Sequence, residues 1–158
     1  MSGPPFSTDM ISALASAYPL APRQLEHRIA DHPLLQLDAL AALARRLRPE
    51  SLEHNAARDL PLGISNDETP HTGLDIHQTI AQIETCGSWV LLKTIDQDPA
   101  YAALMRDVLA AIEPVVHPRT GPMMRLEGFI FISCPAPSPR SISIRTIISC
   151  SRRTAPRR

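Results

Sequence analysis

The run Gly128-Phe129-Ile130-Phe131-Ile132-Ser133 constrains the fold more than any other stretch, because an aromatic and β-branched segment of this kind needs partner strands and a core beneath it. It ends at Cys134-Pro135, after which the chain changes character into a Ser/Arg/Pro/Ile stretch. From Pro135 onward there are six arginines (Arg140, Arg145, Arg152, Arg153, Arg157, Arg158) and no acid. The whole chain carries 16 basic and 16 acidic residues, so the first 134 residues hold 10 basic against 16 acidic groups, a charge of −6, and the remainder holds +6. Net neutrality therefore hides two segments of opposite sign.

A chain of 158 residues suits one domain, and with only six aromatic residues its core must be built mainly from Leu, Ile, Val and Ala. Cys86, Cys134 and Cys150 are odd in number and lack C-x-x-C spacing, so neither a disulfide framework nor a zinc knuckle is indicated. Met1 to Thr8 has no basic n-region or apolar h-region, and no apolar run approaches membrane-spanning length. These features predict a cytoplasmic protein with no membrane partner.

Taken in order, Ser7, Thr8 and Asp9 offer capping oxygens to a helix with Ile11, Leu14, Ala15 and Tyr18 on one face, ended by Pro19. Leu20 to Leu35 reads as irregular. A second helix is expected from Leu37 to Leu47, its stripe Leu37, Leu40, Leu43, Ala44 and Leu47, with Arg45, Arg46 and Arg48 suiting the negative end of its dipole. Ser51 to Asn55 suggests a short strand, and Ala56 to Thr72 a polar surface loop with turn chemistry at Leu62-Gly63. Asp75 and Gln78 stand at capping-box spacing before Ile76, Ile80 and Ile83, with Gly87 as the stop. Trp89 to Ile95 is apolar at both alternating positions, as in a strand covered on two faces. Asp98 and Pro99 open a fourth helix expected to end at Pro114, with Leu104, Val108, Leu109 and Ile112 toward the core.

The chemistry-bearing motifs are few. There is no G-x-G-x-x-G, P-loop, G-x-S-x-G or H-E-x-x-H. His27, His32, His54, His71, His77 and His117 are scattered. Metal ligation by His71 and His77 with Asp67 or Asp75 lacks a third ligand at fixed spacing, so capping or solvation is favoured. Cys86, at a helix C-terminus, reads as packing, since that dipole end disfavours a thiolate. Asp96 and Asp98 lie where enzymes often place carboxylates, yet Asp98 is accounted for as an N-cap. No catalytic, cofactor-binding or metal residue is assigned.

The order helix, strand, helix, strand, and in particular Gly87-Ser88-Trp89-Val90-Leu91-Leu92-Lys93, the helix Asp98 to Glu113, and Arg125 to Ser133, resembles the N-terminal part of bacterial cupin-like proteins of the JmjC type. That family is similar to Fe(II)- and 2-oxoglutarate-dependent oxygenases. The resemblance runs from about Ile11 to Cys134. It implies that the strand at Phe129 to Ser133 leads within about ten residues to T-P-x-H-x-D, whose His and Asp bind iron in a facial triad. No His and no Asp follows His117 in this sequence.

A single reading-frame slip near Cys134 accounts for the missing motif. Isoleucine codons begin AT, so in the shifted reading each masks His, Tyr, Asn or Asp. Ile142 and Ile144 have the H-x-D spacing, and Ile147 and Ile148 follow. With suitable synonymous codons, the stretch from the last base of the Ala136 codon to Cys150 re-reads as A-V-T-P-F-H-I-D-P-D-H-N-I-L. A disordered basic extension or an arginine-rich nucleic-acid arm fits the charge, but neither explains Ile recurring among Ser and Arg.

The expectation is an α+β fold: a helical N-terminal region and the first strands of a truncated cupin-like double-stranded β-helix over residues 1–134, with a disordered basic tail over 135–158. The intact parent would use Fe(II) and 2-oxoglutarate; this chain would hold no cofactor and be inactive. An unpaired edge at Phe129 to Ser133 would favour self-association. The alternative is a small helical interaction module with a nucleic-acid-binding tail.

Overall fold

Ser7 and Asp98, each an oxygen-bearing residue just ahead of an apolar stripe, cap the first and last helices of the computed structural model. The structure describes residues 3–56, 73–123, 125–133 and 143–151, the last of these as backbone. Helix α1 (Thr8–Ala17) begins where the Ser7 hydroxyl accepts the Met10 amide, and its apolar face is half-buried. Helix α2 (Leu37–Ala44) buries Leu40, Leu43 and Ala44. It stops short of Leu47 because the Arg46 amide turns back to the Leu43 carbonyl at 2.8 Å, tightening the last turn, while Leu47 still enters the core.

Helix α3 (Ile76–Ala81) carries the anticipated reciprocal capping box. The Asp75 carboxylate accepts the Gln78 amide at 2.8 Å, and the Gln78 side-chain oxygen accepts the Asp75 amide at 3.0 Å. The helix is shorter than expected, giving way to turns before Gly87, which takes the left-handed φ of 60°. Helix α4 (Pro99–Thr120) is longer than expected and passes through Pro114 and Pro118. An internal proline costs about 3 kcal/mol. Contacts on the last turns offset this: Val115 is buried, Arg119 donates to the carbonyls of Val115 and Ala15, and Tyr18 Oη shares a 2.8 Å hydrogen bond with Thr120 Oγ1.

Strands β1 (Leu52–Ala56), β2 (Ser88–Leu92), β3 (Arg125–Ser133) and β4 (Ser143–Ser151) form an antiparallel sheet in the order β1-β2-β3-β4. Val90, Leu92, Ile130 and Ile132 on one face join Leu40, Leu43, Ile80, Ile83, Ile95, Tyr101 and Met105 in a single core. The fold class is therefore mixed α+β, with the helices serving one side of an antiparallel sheet.

Three expectations are corrected. The apolar run after Gly87 leaves the sheet at Leu92 instead of Ile95, because Thr94 turns the chain with φ of 47° into a 3-10 turn at Ile95–Gln97. Its cover is unequal on the two faces: Val90 and Leu92 are buried, whereas Trp89 and Leu91 are half-buried beside Phe129 and Phe131 on the opposite face. Finally, the edge of β3 expected to be unpaired is met on both sides over Ile130–Ser133, by β2 and by β4, and β4 also runs along Arg125–Phe129. The tail read as structureless thus contributes a strand at Ser143–Ser151, where the open groups of β3 meet a segment holding Ile144, Thr146, Ile147 and Ile148. Residues 134–142 and 152–158, the rest of that tail expectation, lie outside the described residues, as does the loop expected at 57–72.

Candidate functional site

Among the described residues, the corner between β2 and α4 holds a connected set of polar groups. Thr94 sits in a left-handed conformation that β-branched residues rarely adopt. Its hydroxyl lies 2.8 Å from Ser51 Oγ, and Gln97 Nε2 donates to Ser51 Oγ at 3.0 Å and to the Thr94 carbonyl at 3.1 Å. Ser51 is buried, and its carbonyl accepts the Lys93 amide at 2.8 Å. The network fixes the direction in which the chain leaves the sheet.

Both carboxylates beside it are committed to structure. Asp96 Oδ1 accepts the Gly128 amide at 3.4 Å, tying the turn to β3. Asp98 is 9% exposed, accepts the amides of Ala100 and Tyr101, and receives Arg46 Nε at 2.7 Å. Burial alone would raise the Asp98 carboxyl, but the Arg46 hydrogen bond, the two amides and the guanidinium charge together hold it below the usual carboxylate range. An ionised, fully occupied carboxylate of this kind is a cap and is not free to act as a general base.

Near α3, the His54 and Asp75 side chains serve the backbone and the helix cap. His54 Nε2 donates to the Leu74 carbonyl at 3.0 Å, and the exposed Asp75 is held low chiefly by the Gln78 amide. Among the described residues, His77 Nδ1 and Asn55 Oδ1 are buried atoms without a hydrogen-bond partner, and Asn55 is only 8% exposed. Neither orphan atom had a sequence signal, since both arise from tertiary packing. His71 and Asp67 lie outside the described residues. Among the described residues no group of three or more His, Cys, Asp or Glu side chains is arranged to hold a metal ion. The described residues thus supply no donor set for the Fe(II) centre that the family resemblance implies, and no reaction step follows through it.

Cys86 is a half-buried free cysteine whose Sγ lies 3.8 Å from the Thr79 carbonyl, packed against the core as expected. Of the isoleucines at the shifted motif, Ile142 lies outside the described residues, while Ile144 stands in β4 opposite Ile132.

Two surfaces could receive another molecule. One is the sheet face opposite the helices, where Trp89 and Phe131 stack with centroids 5.7 Å apart at 24°, beside Leu91 and Phe129. It is bordered by the Lys93–Glu53 pair at 2.5 Å and by an ion pair between Arg125 and Glu127. The other is a cavity of about 500 Å³ whose lining includes Pro5, Ile29, Leu104 and Val108, with Arg28, Asp31 and Asp107. No helix among the described residues is long and apolar enough to cross a membrane. No family model, curated protein or solved structure matches the chain.

Proposed function

We propose that residues 1–134 are the leading part of a cupin-like domain of the JmjC type, acting in the cytoplasm, whose following residues are translated out of frame. In this reading the parent domain is an Fe(II)- and 2-oxoglutarate-dependent oxygenase, and the chain as written has no oxygenase activity of its own. The observation that carries it is the recurrence of isoleucine after Cys134 at the H-x-D spacing, directly downstream of a strand that lies inside a sheet. The asymmetry of that sheet supports it: one face lies against helices, while the other presents Trp89, Leu91, Phe129 and Phe131. A second sheet closing a double-stranded β-helix would cover such a stripe.

The test compares the chain as written with a version in which the neighbouring frame is restored after Cys134. The restored protein should bind one Fe(II) per chain and consume 2-oxoglutarate, and the present chain should do neither. A restored protein that binds no iron would sink the proposal. The six arginines after Pro135 leave a rival reading as a helical module with a nucleic-acid arm. Salt-sensitive duplex binding that disappears on deleting Pro135–Arg158 would favour that rival.

A further inference from the structure

The open edge of the sheet lies one strand beyond β3. Strand β4 pairs with β3 residue for residue, from Ser143 opposite Ser133 to Ser151 opposite Arg125, with no bulge in the register. It is the last strand in the sheet, so along its outward edge no strand meets it among the described residues. Such an edge offers a row of N–H and C=O groups that another strand can take up. Proteins ordinarily blunt these edges with proline, charges, bulges or short strands. The sequence S-I-R-T-I-I-S-C-S has no proline and no acid, carries one charge at Arg145, and is β-branched at four positions. The opposite edge, β1, has only five residues.

We propose that β4 is a self-association edge through which two copies of the chain pair, β4 against β4 and antiparallel, joining two four-stranded sheets into one of eight. A two-fold axis at Ile147 places Ile144 opposite Cys150, Arg145 opposite Ser149, and Thr146 opposite Ile148. No arginine then faces its own copy, and β-branched residues pair across the axis. A second copy fits this edge because the strand is complementary to itself in that register. The pairing stands on the strand geometry and does not depend on whether the tail is out of frame.

Sedimentation velocity on the full chain at roughly 50 µM should show a dimer that holds or tightens from about 0.05 to about 0.5 M NaCl, since salt screens repulsion between the two basic tails. Ile147→Pro, which breaks the regular course of the strand, and Ile147→Lys, which sets two lysines face to face at the axis, should each weaken association at least ~tenfold. Far-UV circular dichroism and Trp89 fluorescence report whether the body remains folded. With Cys86, Cys134 and Cys150 changed to Ser, Ile147→Cys should form a disulfide-linked dimer under mild oxidation, and Ser143→Cys should not. A monomer at every concentration overturns the proposal, as do association that persists in both Ile147 variants and the absence of the Ile147→Cys cross-link. Association that falls steeply with salt also overturns it, pointing instead to contact between basic tails and acidic bodies.

Discussion

Arg46 Nε lies 2.7 Å from Asp98 Oδ2, joining the end of α2 to the start of α4 across 52 residues of chain. The same carboxylate caps α4 through the amides of Ala100 and Tyr101. Its folded-state pKa lies below the unfolded value of about 4. The stabilisation is therefore fully present above pH 4 and is lost as pH falls through the folded value. Asp98→Ala should cost about 1–3 kcal/mol in urea unfolding near pH 7. It should cost less at acid pH, so the acid limb of stability against pH becomes shallower in the variant.

Tyr101 tests the opposite limb. Its single hydroxyl proton is shared between the Leu34 carbonyl at 2.6 Å and the Ala39 carbonyl at 3.3 Å, and burial raises its pKa to about 12. The neutral phenol is favoured in the fold, so its contribution is complete below pH 10 and fades as pH rises from 10 through 12. Tyr101→Phe should lower stability at neutral pH by about 1–3 kcal/mol, because two carbonyls lose their donor. Part of the alkaline loss should vanish with it, measured by unfolding between pH 8 and pH 11 at about equal ionic strength.

Gly128 is buried in the middle of β3, and a Cβ there would lie 2.6 Å from Met105 Sδ and Cε and 2.7 Å from Ile95 Cγ1. Gly128→Ala should destabilise by about 1–3 kcal/mol through overpacking. Paired with Met105→Ala, which opens space at the same point, the loss should be smaller than the sum of the two single changes. Denaturant midpoints of the four proteins measure that coupling.

Thr94 separates backbone strain from hydrogen bonding. Its left-handed conformation is costly for a β-branched residue, yet its hydroxyl joins the network with Ser51 and Gln97. Thr94→Gly loses the hydrogen bonds but relieves the backbone, so stability should change by less than about 1 kcal/mol. Thr94→Val keeps the strain and removes the hydroxyl, and should cost about 1–3 kcal/mol. Thermal unfolding that ranks the two variants the other way would show that the network contributes little.

The elements that were legible in the sequence are those whose local chemistry is self-contained. Ser7, the Asp75/Gln78 box and Asp98-Pro99 mark helix starts by capping alone, and all three act as caps in the structure. Element ends were harder to place, because tertiary contacts decide them. Pro114 does not stop α4 when Val115 and Arg119 have partners against the body, and β2 stops early because Thr94 turns. The partnering of β3 was also hidden, since β4 comes from a stretch whose composition gives no alternation to read. The site was less legible than the fold. The chain carries no catalytic motif, and the orphan atoms of Asn55 and His77 depend on packing that no local pattern records.

The most direct measurement is the sequence of the coding DNA across the codon for Cys134, translated in both neighbouring frames. The account predicts T-P-x-H-x-D in one of them, with its His and Asp at the positions of Ile142 and Ile144, and a further His downstream. Absence of that motif from both frames would contradict it and leave residues 135–158 as a genuine basic segment of the protein.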